Sequence, residues 1–233
     1  MTDPSADRPA EDLDALVRRV DPDRWLSSRF IADPQARADV IAVYAYDHEL
    51  GRAPKAASNP ILGEIRLTWW REVLDEIFEA RPVRHHPTAQ ALAGMVERRA
   101  VGRAPLEAMI DARYRELDPA PLSLEEAVQA ARGSAGGAAA IAAEILAPGA
   151  SGAEAAGAAW AFARRIATAP VEGAPERLRA LRREAAEGVR RLPVAAFPAA
   201  AHGALAGLRA RGGETPELIV RLRLLTAVAT GRI

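Results

Sequence analysis

The sequence predicts an all-α protein, and three features of the chain lead to this prediction. Alanine is abundant and β-branched residues are sparse, so most segments favour the helical state. Breakers that contain proline or glycine divide the chain into pieces of helical length. No segment shows an alternating apolar pattern that competes with these helices. The 233 residues are enough for one large or two small domains with a sizeable core.

The breakers delimit about ten helical segments, which follow an N-terminal stretch that we expect to be disordered. Residues 1–10 hold almost no apolar side chain to bury, so the predicted helical domain covers residues 11–233. Helical cores are predicted at 35–52, 61–79, 87–100, 105–116, 124–146, 152–168, 175–191, 195–210 and 215–229.

The helix predicted at 35–52 carries polar groups on its buried side. Tyr44 belongs to the apolar stripe, and Asp47 falls within that stripe three residues later. His48 follows one turn beyond Tyr44, and Arg52 follows one turn beyond His48. This spacing places several ionisable groups on or beside one helix face.

The helix predicted at 61–79 has the clearest apolar pattern. Its predicted buried face comprises Ile61, Ile65, Trp69, Val73 and Ile77, widened by Leu62, Trp70, Leu74 and Phe78. Arg66 breaks this pattern, because its neighbours along the helix are apolar. An arginine that points inward needs an acidic or phosphate partner. We expect Asp47 to pair with Arg66 or Arg113, and we favour a structural role for this ion pair over a catalytic one.

The helix predicted at 105–116 adds further polar groups near core positions. Its polar residues are Asp111, Arg113, Tyr114 and Glu116. They lie close in sequence to the apolar residues Met109 and Ile110. Polar groups among core positions on several helices predict a polar, or once polar, central cavity.

The segment that begins at Ser123 has the signature of a helix start followed by close helix packing. Ser123 and Glu126 are spaced as a capping box. The stretch "GSAGGAAA" at 133–140 does not follow a strand and has the wrong order for a phosphate-binding loop. Its glycines instead indicate the close approach of a neighbouring helix or ligand.

The histidines give no signal for a metal site. His85 and His86 stand between prolines, where a solvent-exposed loop is the favoured interpretation. His202 lies alone in an alanine-rich segment and is expected to serve packing.

The composition excludes several classes of protein. A formal net charge of zero argues against strong electrostatic attraction to nucleic acid or to an anionic membrane. The chain has no cysteine, which rules out disulfides and thiolate chemistry and fits a reducing cytoplasm. No apolar run approaches the roughly 20 residues of a membrane-spanning helix, and the acidic start does not resemble a signal peptide. We therefore expect a cytoplasmic location.

Several motifs together resemble the squalene/phytoene synthase family, the head-to-head prenyl transferases. They are Asp33-Pro34, Arg37, "AVYAY", "GEIRLTWWREVLDEIF", "MIDARYRELD" and "ARGSAGGAAAIAAEIL". The resemblance covers roughly residues 20–230 and is clearest from Trp25 to Leu146. It implies a single-domain isoprenoid-synthase-like helical bundle around a central cavity. Members condense two allylic diphosphates, and two aspartate-rich motifs on facing helices hold the magnesium ions that assist departure of diphosphate.

This chain departs from the family at both motifs. At the three aspartate positions of the first motif stand Gly51, Arg52 and Lys55. The acidic positions of the second motif fall near Thr168 and Glu172, so at best one carboxylate remains there. Cations at these positions would repel magnesium. The sequence around Gly51, Arg52 and Lys55 resembles that of a divergent branch of the family, which includes an assembly factor for respiratory complex I.

Three functions therefore remain open. The favoured one is a non-catalytic binding or assembly-type factor that holds a prenyl diphosphate or lipid-like ligand, with no cofactor. The first alternative is an active prenyl transferase that rebuilds a magnesium site from Asp47, Glu49, Asp111, Glu116 and Glu172. The second alternative is a helical module whose cavity is filled by side chains.

The resemblance also implies a set of candidate residues and partners. No catalytic or metal-binding residue is assigned. The candidate ligand-binding residues are Tyr44, Asp47, His48, Arg52, Lys55, Arg66, Trp70, Arg113 and Glu116. The expected partners are the ligand and a protein client in respiratory-complex assembly, without nucleic acid or a transmembrane segment. We also expect peripheral contact with the inner membrane, because the substrates of the family are hydrophobic.

Overall fold

A computed structural model describes residues 12–55 and 60–233, and it is all-α over these ranges, as predicted. The predicted disordered tail at 1–10 lies outside the described residues. The α-helices are α1 Leu13–Val20, α2 Pro22–Ser28, α3 Pro34–Lys55, α4 Pro60–Phe78, α5 Pro87–Arg99, α6 Arg103–Tyr114, α7 Leu124–Ala131, α8 Gly137–Leu146, α9 Glu154–Thr168, α10 Ala174–Val189, α11 Ala206–Arg209 and α12 Glu217–Thr230.

Helix α3 lies at the centre of the main hydrophobic core. Its residues from Val40 to Tyr46 are almost fully buried, and so is Leu50. Around α3 pack α1, α4, α5, α6 and α8. A second, smaller core joins α7, α9 and α10 around Phe162 and Leu181. Because α9 contributes to both cores, it is held firmly opposite α3.

Two short helices at the start of the domain were not predicted. Asp12 caps α1, and its carboxylate accepts a hydrogen bond from the backbone N–H of Asp14. Asp21 caps α2, which begins at Pro22, a residue favoured in the first helical turn. Each helix has eight residues or fewer, which is too short for a periodic pattern to stand out.

Two segments that were predicted as single helices are interrupted. The predicted helix at 124–146 starts with the expected capping box, but residues 132–136 form a π-helical turn between α7 and α8. The predicted helix at 195–210 consists of two 3₁₀ segments followed by α11. Pro198 lies inside the first 3₁₀ segment, and proline cannot supply the hydrogen bond that a continuous α-helix requires.

The predicted buried face of α4 was partly wrong. Leu67, Trp70, Val73 and Leu74 are buried as the contact surface toward α3 and α6. Ile61, Leu62 and Ile65 are instead 60%, 45% and 57% exposed. Arg66 is also exposed, so it is not the inward arginine that the pattern suggested. Since α4 is apolar on more than one side, its periodicity could not identify the side that packs.

The glycine-rich segment packs closely against its neighbours, as predicted. A Cβ atom at Gly133 would overlap the Cβ atom of Ala112 on α6. A Cβ atom at Gly157 of α9 would overlap the backbone oxygen of Ala135. Only glycine permits these approaches, which bring α6, the π-helical turn and α9 together. Among the described residues, no helix combines the length and the apolar character needed to cross a bilayer.

Candidate functional site

A cavity of about 590 Å³ lies between α3 and α9. The start of α2, the end of α6 and the π-helical turn complete its walls. Its charged and ionisable lining comprises Asp21, Arg24, Asp47, His48, Arg52, Arg113, Glu116, Arg164 and Arg165. Alanines of α7, the π-helical turn and α9 provide most of the apolar lining. We call this space the α3–α9 cavity.

Four charged side chains form the floor of the cavity. Asp47 Oδ1 accepts a hydrogen bond of 2.6 Å from Arg113 Nη2, and Asp47 Oδ2 lies 2.9 Å from Arg24 Nη1. Arg24 Nε donates in turn to the carboxylate of Asp21. We call Asp21, Arg24, Asp47 and Arg113 the ionic floor. The predicted pair of Asp47 with Arg113 is confirmed, the alternative partner Arg66 is wrong, and Arg24 was missed.

Asp47, Arg24 and Arg113 stay charged although they are nearly excluded from water. Burial alone would raise the pKa of Asp47, but Arg113 and Arg24 outweigh burial and hold that pKa below its ordinary value. Burial would lower the pKa of Arg24, yet Asp21 and Asp47 raise it. Each charge thus depends on its partners, because an unpaired buried charge is very costly.

The cap of α2 places Arg24 in the floor. The Asp21 carboxylate accepts the backbone N–H of Arg24 at 3.2 Å and also binds the guanidinium of the same residue. One capping residue therefore fixes both the start of α2 and the direction of its arginine. The sequence signal for this arrangement is "DPDRW" at 21–25, in which an acidic cap is followed by proline.

The ion pairs continue from the floor toward the mouth of the cavity. Arg113 Nη1 donates to Glu116 Oε1 at 3.1 Å, and Arg165 Nη2 donates to Glu116 Oε2 at 2.7 Å. Arg52 is exposed and pairs with Glu49 one turn earlier on α3. Arg164 is exposed, stacks on the Trp160 ring at 4.6 Å, and has no ion pair within the described ranges. Burial lowers the pKa of His48, which lies between these groups.

Beneath the ionic floor lies a packed aromatic layer. The Arg24 guanidinium carbon is 4.8 Å from the centre of the Tyr44 ring and 5.1 Å from that of Trp160. His202 contacts both rings edge-on and is fully buried, which confirms its predicted packing role. Tyr44 is buried in this layer and does not belong to the cavity lining, so a ligand in the cavity would not touch it directly.

A nearby carboxylate ties this layer to the C-terminal part of the chain. Asp23 accepts hydrogen bonds of 2.8 Å from Trp160 Nε1 and 2.7 Å from Arg209 Nε. Burial would raise the pKa of Asp23, but these donors lower it.

Besides Tyr44, two further candidate residues lie outside the α3–α9 cavity. Arg66 and Trp70 line a separate pocket of about 240 Å³, together with Glu49, Arg52, Trp69 and His86. His86 packs against the rings of Trp69 and Trp70 at 5.4 Å, so the expectation of a fully solvent-exposed loop was wrong for His86 and holds only for His85. Arg52 lines both spaces. Lys55 ends α3, and its side chain lies outside the described part of the structure.

Residues that the family resemblance assigns to each of the two aspartate-rich motifs line the same cavity. Gly51 and Arg52 of α3 lie on one wall, and Thr168 of α9 lies on the other. Glu172 is exposed and is not part of the lining. Arg164 and Arg165, which sequence reasoning also missed, extend from the same helix as Thr168. The result is a cavity with five arginines and three carboxylates, and each carboxylate is already bound to a guanidinium.

Comparisons with known proteins agree with this architecture. Residues 17–170 match the family model of squalene/phytoene synthase. The fold is similar to a dehydrosqualene synthase solved with a ligand, with a TM-score of 0.64, 12% identity and coverage of 94% of both chains. It is also similar to squalene synthase HpnC from Alicyclobacillus acidocaldarius, with a TM-score of 0.64, 14% identity and coverage of 94% of this chain and 92% of that chain.

Two curated relatives carry the name NADH dehydrogenase (ubiquinone) complex I, assembly factor 6. The protein from Bos taurus is 28% identical over 103 residues, and the one from Homo sapiens is 27% identical over 103 residues. The matched segment is 44% of this chain and spans only 30% of the length of each relative.

Proposed function

Because the chain belongs to the squalene/phytoene synthase family, we propose that it is a member that has lost magnesium-dependent prenyl transfer and binds an anionic, prenyl diphosphate-like ligand. The observation that supports this proposal most directly is the placement of Arg52 on one wall of the α3–α9 cavity and of Arg164 and Arg165 on the other. By the family resemblance, Arg52 stands at an aspartate position of the first motif, and Arg164 and Arg165 precede the expected position of the second motif on α9.

The residues of the cavity do not fit magnesium. Magnesium prefers octahedral oxygen ligands and is held in such sites by one or two free carboxylates together with phosphate oxygens. Here Asp47 and Glu116 each bind two arginines, and Asp21 binds Arg24. Freeing one of these carboxylates would remove one of the two counter-ions of a buried guanidinium, Arg24 or Arg113, which is unfavourable.

The same residues suit a diphosphate group. Guanidinium groups form paired, charge-assisted hydrogen bonds with phosphate oxygens. Arg164 has no competing carboxylate in the described ranges, and Arg52 is exposed enough to reorient. The cavity volume of about 590 Å³ is within the range of small-molecule sites.

Calorimetric titration with farnesyl diphosphate in the presence of EDTA tests this proposal. We expect binding without metal, and we expect Arg164→Gln to weaken it about tenfold through the loss of charge-assisted hydrogen bonds. Arg179→Gln is the matched control, because Arg179 is exposed, pairs with Glu176 and lies outside the cavity lining. Absence of binding, or equal effects of the two variants, would overturn the ligand assignment. Release of pyrophosphate with magnesium present would overturn the loss of catalysis and favour the active prenyl transferase.

We also propose that the protein assists the assembly of respiratory complex I. The similarity to the two assembly factors over 103 residues supports this role. In a cell that makes both this protein and complex I, deletion of its gene should reduce the fully assembled complex on native gels. Re-expression of the chain should restore that complex. Normal assembly in the deletion strain would refute the role.

A further inference from the structure

Helix α12 is apolar on two opposite faces. Val220, Leu224 and Ala227 are buried against the rest of the protein. Leu218, Leu222 and Leu225 follow one another at helical spacing on the outer face, and they are 67%, 53% and 54% exposed. We call these three leucines the α12 ridge. An exposed row of leucines is unfavourable in water unless something covers it.

Arginines surround the α12 ridge. Arg221 is exposed beside the ridge and pairs with Glu217 of the same helix. Arg223 is exposed on the other side of the helix, where its Nε donates to the carbonyl oxygen of Ala204. Arg211 precedes α12 and Arg232 follows it. Arg211, Arg223 and Arg232 form no ion pair within the ranges 12–55 and 60–233, so their charge is available to an external partner.

The charge of the chain is divided unequally along the sequence. Residues 160–233 contain thirteen arginines and six glutamates, a net charge of +7. Residues 1–159 therefore carry −7, although the whole chain is neutral. The zero net charge of the whole chain argued against attraction to an anionic membrane. This argument does not apply to residues 160–233, which contain the α12 ridge and carry a net positive charge.

We propose that the α12 ridge is a docking surface for an anionic lipid bilayer. A row of leucines flanked by arginines is the pattern of a helix that lies in the membrane interface, with leucines among the acyl chains and guanidinium groups at the headgroups. A second copy of the chain is a poorer occupant, because the basic flanks would repel each other. Three partly exposed leucines also provide far less than the roughly 800 Å² that each partner buries in a stable dimer. The proposal does not depend on the ligand of the α3–α9 cavity.

A single cysteine label tests the proposal, because the natural chain contains no cysteine. An environment-sensitive fluorophore is attached to Leu222→Cys and, as a control, to Ile65→Cys on α4. The two positions have similar exposure, 53% and 57%, but Ile65 belongs to the acidic part of the chain. With vesicles of phosphatidylcholine and about one-third phosphatidylglycerol, we expect a blue shift at position 222 alone. Pure phosphatidylcholine vesicles should give a much smaller shift.

Vesicle sedimentation of unlabelled protein provides the second measurement. The double variant Leu222→Ser/Leu225→Ser should lower the affinity for anionic vesicles at least about tenfold, since both side chains lose their buried apolar area. The matched control Ile61→Ser/Ile65→Ser should bind as the unmodified protein does. Equal shifts at positions 222 and 65, or unchanged binding of the Leu222→Ser/Leu225→Ser variant, would overturn the proposal. Light scattering that shows a dimer dissociated by the same double variant would also overturn it.

Discussion

Arg24 Nη1 lies 2.9 Å from Asp47 Oδ2, and this ion pair joins α2 to α3 where both side chains are only about 5–6% exposed. Arg113 completes the arrangement from α6. A single carboxylate thus holds three helices together at the base of the α3–α9 cavity. Its energetic role can be measured.

Asp47→Asn should strongly destabilise the protein. The substitution leaves Arg24 and Arg113 buried without a common counter-ion, which costs about 3–5 kcal/mol. Denaturation by urea measures the change. The control is Asp111→Asn, because Asp111 pairs with Arg71 at the surface, where the loss is about 0–1 kcal/mol. Similar losses in the two variants would contradict the structural role of the ionic floor.

His202 should make the stability depend on pH in acid solution. Burial, and then the charge of Arg24, lowers the pKa of His202 to about 3. In an unfolded chain the pKa of histidine is about 6.5, so between these values the unfolded chain binds a proton that the native protein does not. The free energy of unfolding should therefore fall as pH falls below about 6.5, with a contribution approaching 1.4 kcal/mol per pH unit.

His202→Phe isolates this contribution. Phenylalanine keeps a ring against Tyr44 and Trp160, and neither ring nitrogen of His202 has a hydrogen-bond partner among the described residues. Urea denaturation from pH 7 to pH 4 should therefore show a shallower slope for this variant. An unchanged slope would mean that His202 titrates in the folded protein much as it does in the unfolded chain.

Gly157→Ala should destabilise the contact between α9 and the π-helical turn. The new methyl group would meet the backbone oxygen of Ala135, which cannot move independently, so we expect a loss of about 1–3 kcal/mol. Thermal unfolding followed by circular dichroism gives the difference. Gly102→Ala is the control, because the nearest atom to its Cβ is 4.0 Å away and its φ of −70° suits alanine. Equal melting temperatures of the two variants would show that α9 can shift away.

Restoring the first aspartate-rich motif should give at most weak magnesium binding. The variant Gly51→Asp/Arg52→Asp/Lys55→Asp returns three carboxylates to the end of α3. The opposite wall keeps Arg164 and Arg165, which would still repel the metal. Calorimetric titration with magnesium chloride measures the affinity. Rapid magnesium-dependent turnover of farnesyl diphosphate by this variant would show that α9 retains enough of the second site.

The sequence predicted the helical class and most of the long helices, because helix propensity and breakers act locally. The sequence-based prediction failed where only tertiary packing decides which of two similar helix faces is buried. Helix α4 offered two apolar sides, and only contact with α3 and α6 selects the side that contains Leu67 and Trp70. Asp47 was correctly expected to pair with an arginine, and Arg113 was one of the two partners considered. Arg24 was missed because it lies on a seven-residue helix that has no periodic signal.

The hydrogen bonds of Asp23 can form only late in translation, because its partners lie far along the chain. Asp23 meets Trp160 and Arg209, which lie 137 and 186 positions further along the chain. The carboxylate of Asp23 therefore lacks its final partner until the ribosome has added the 186 residues that lead to Arg209. Contacts between such distant positions form late and make folding slow. A nascent chain would thus expose α2 and its acidic groups until the segment around Arg209 has been synthesised.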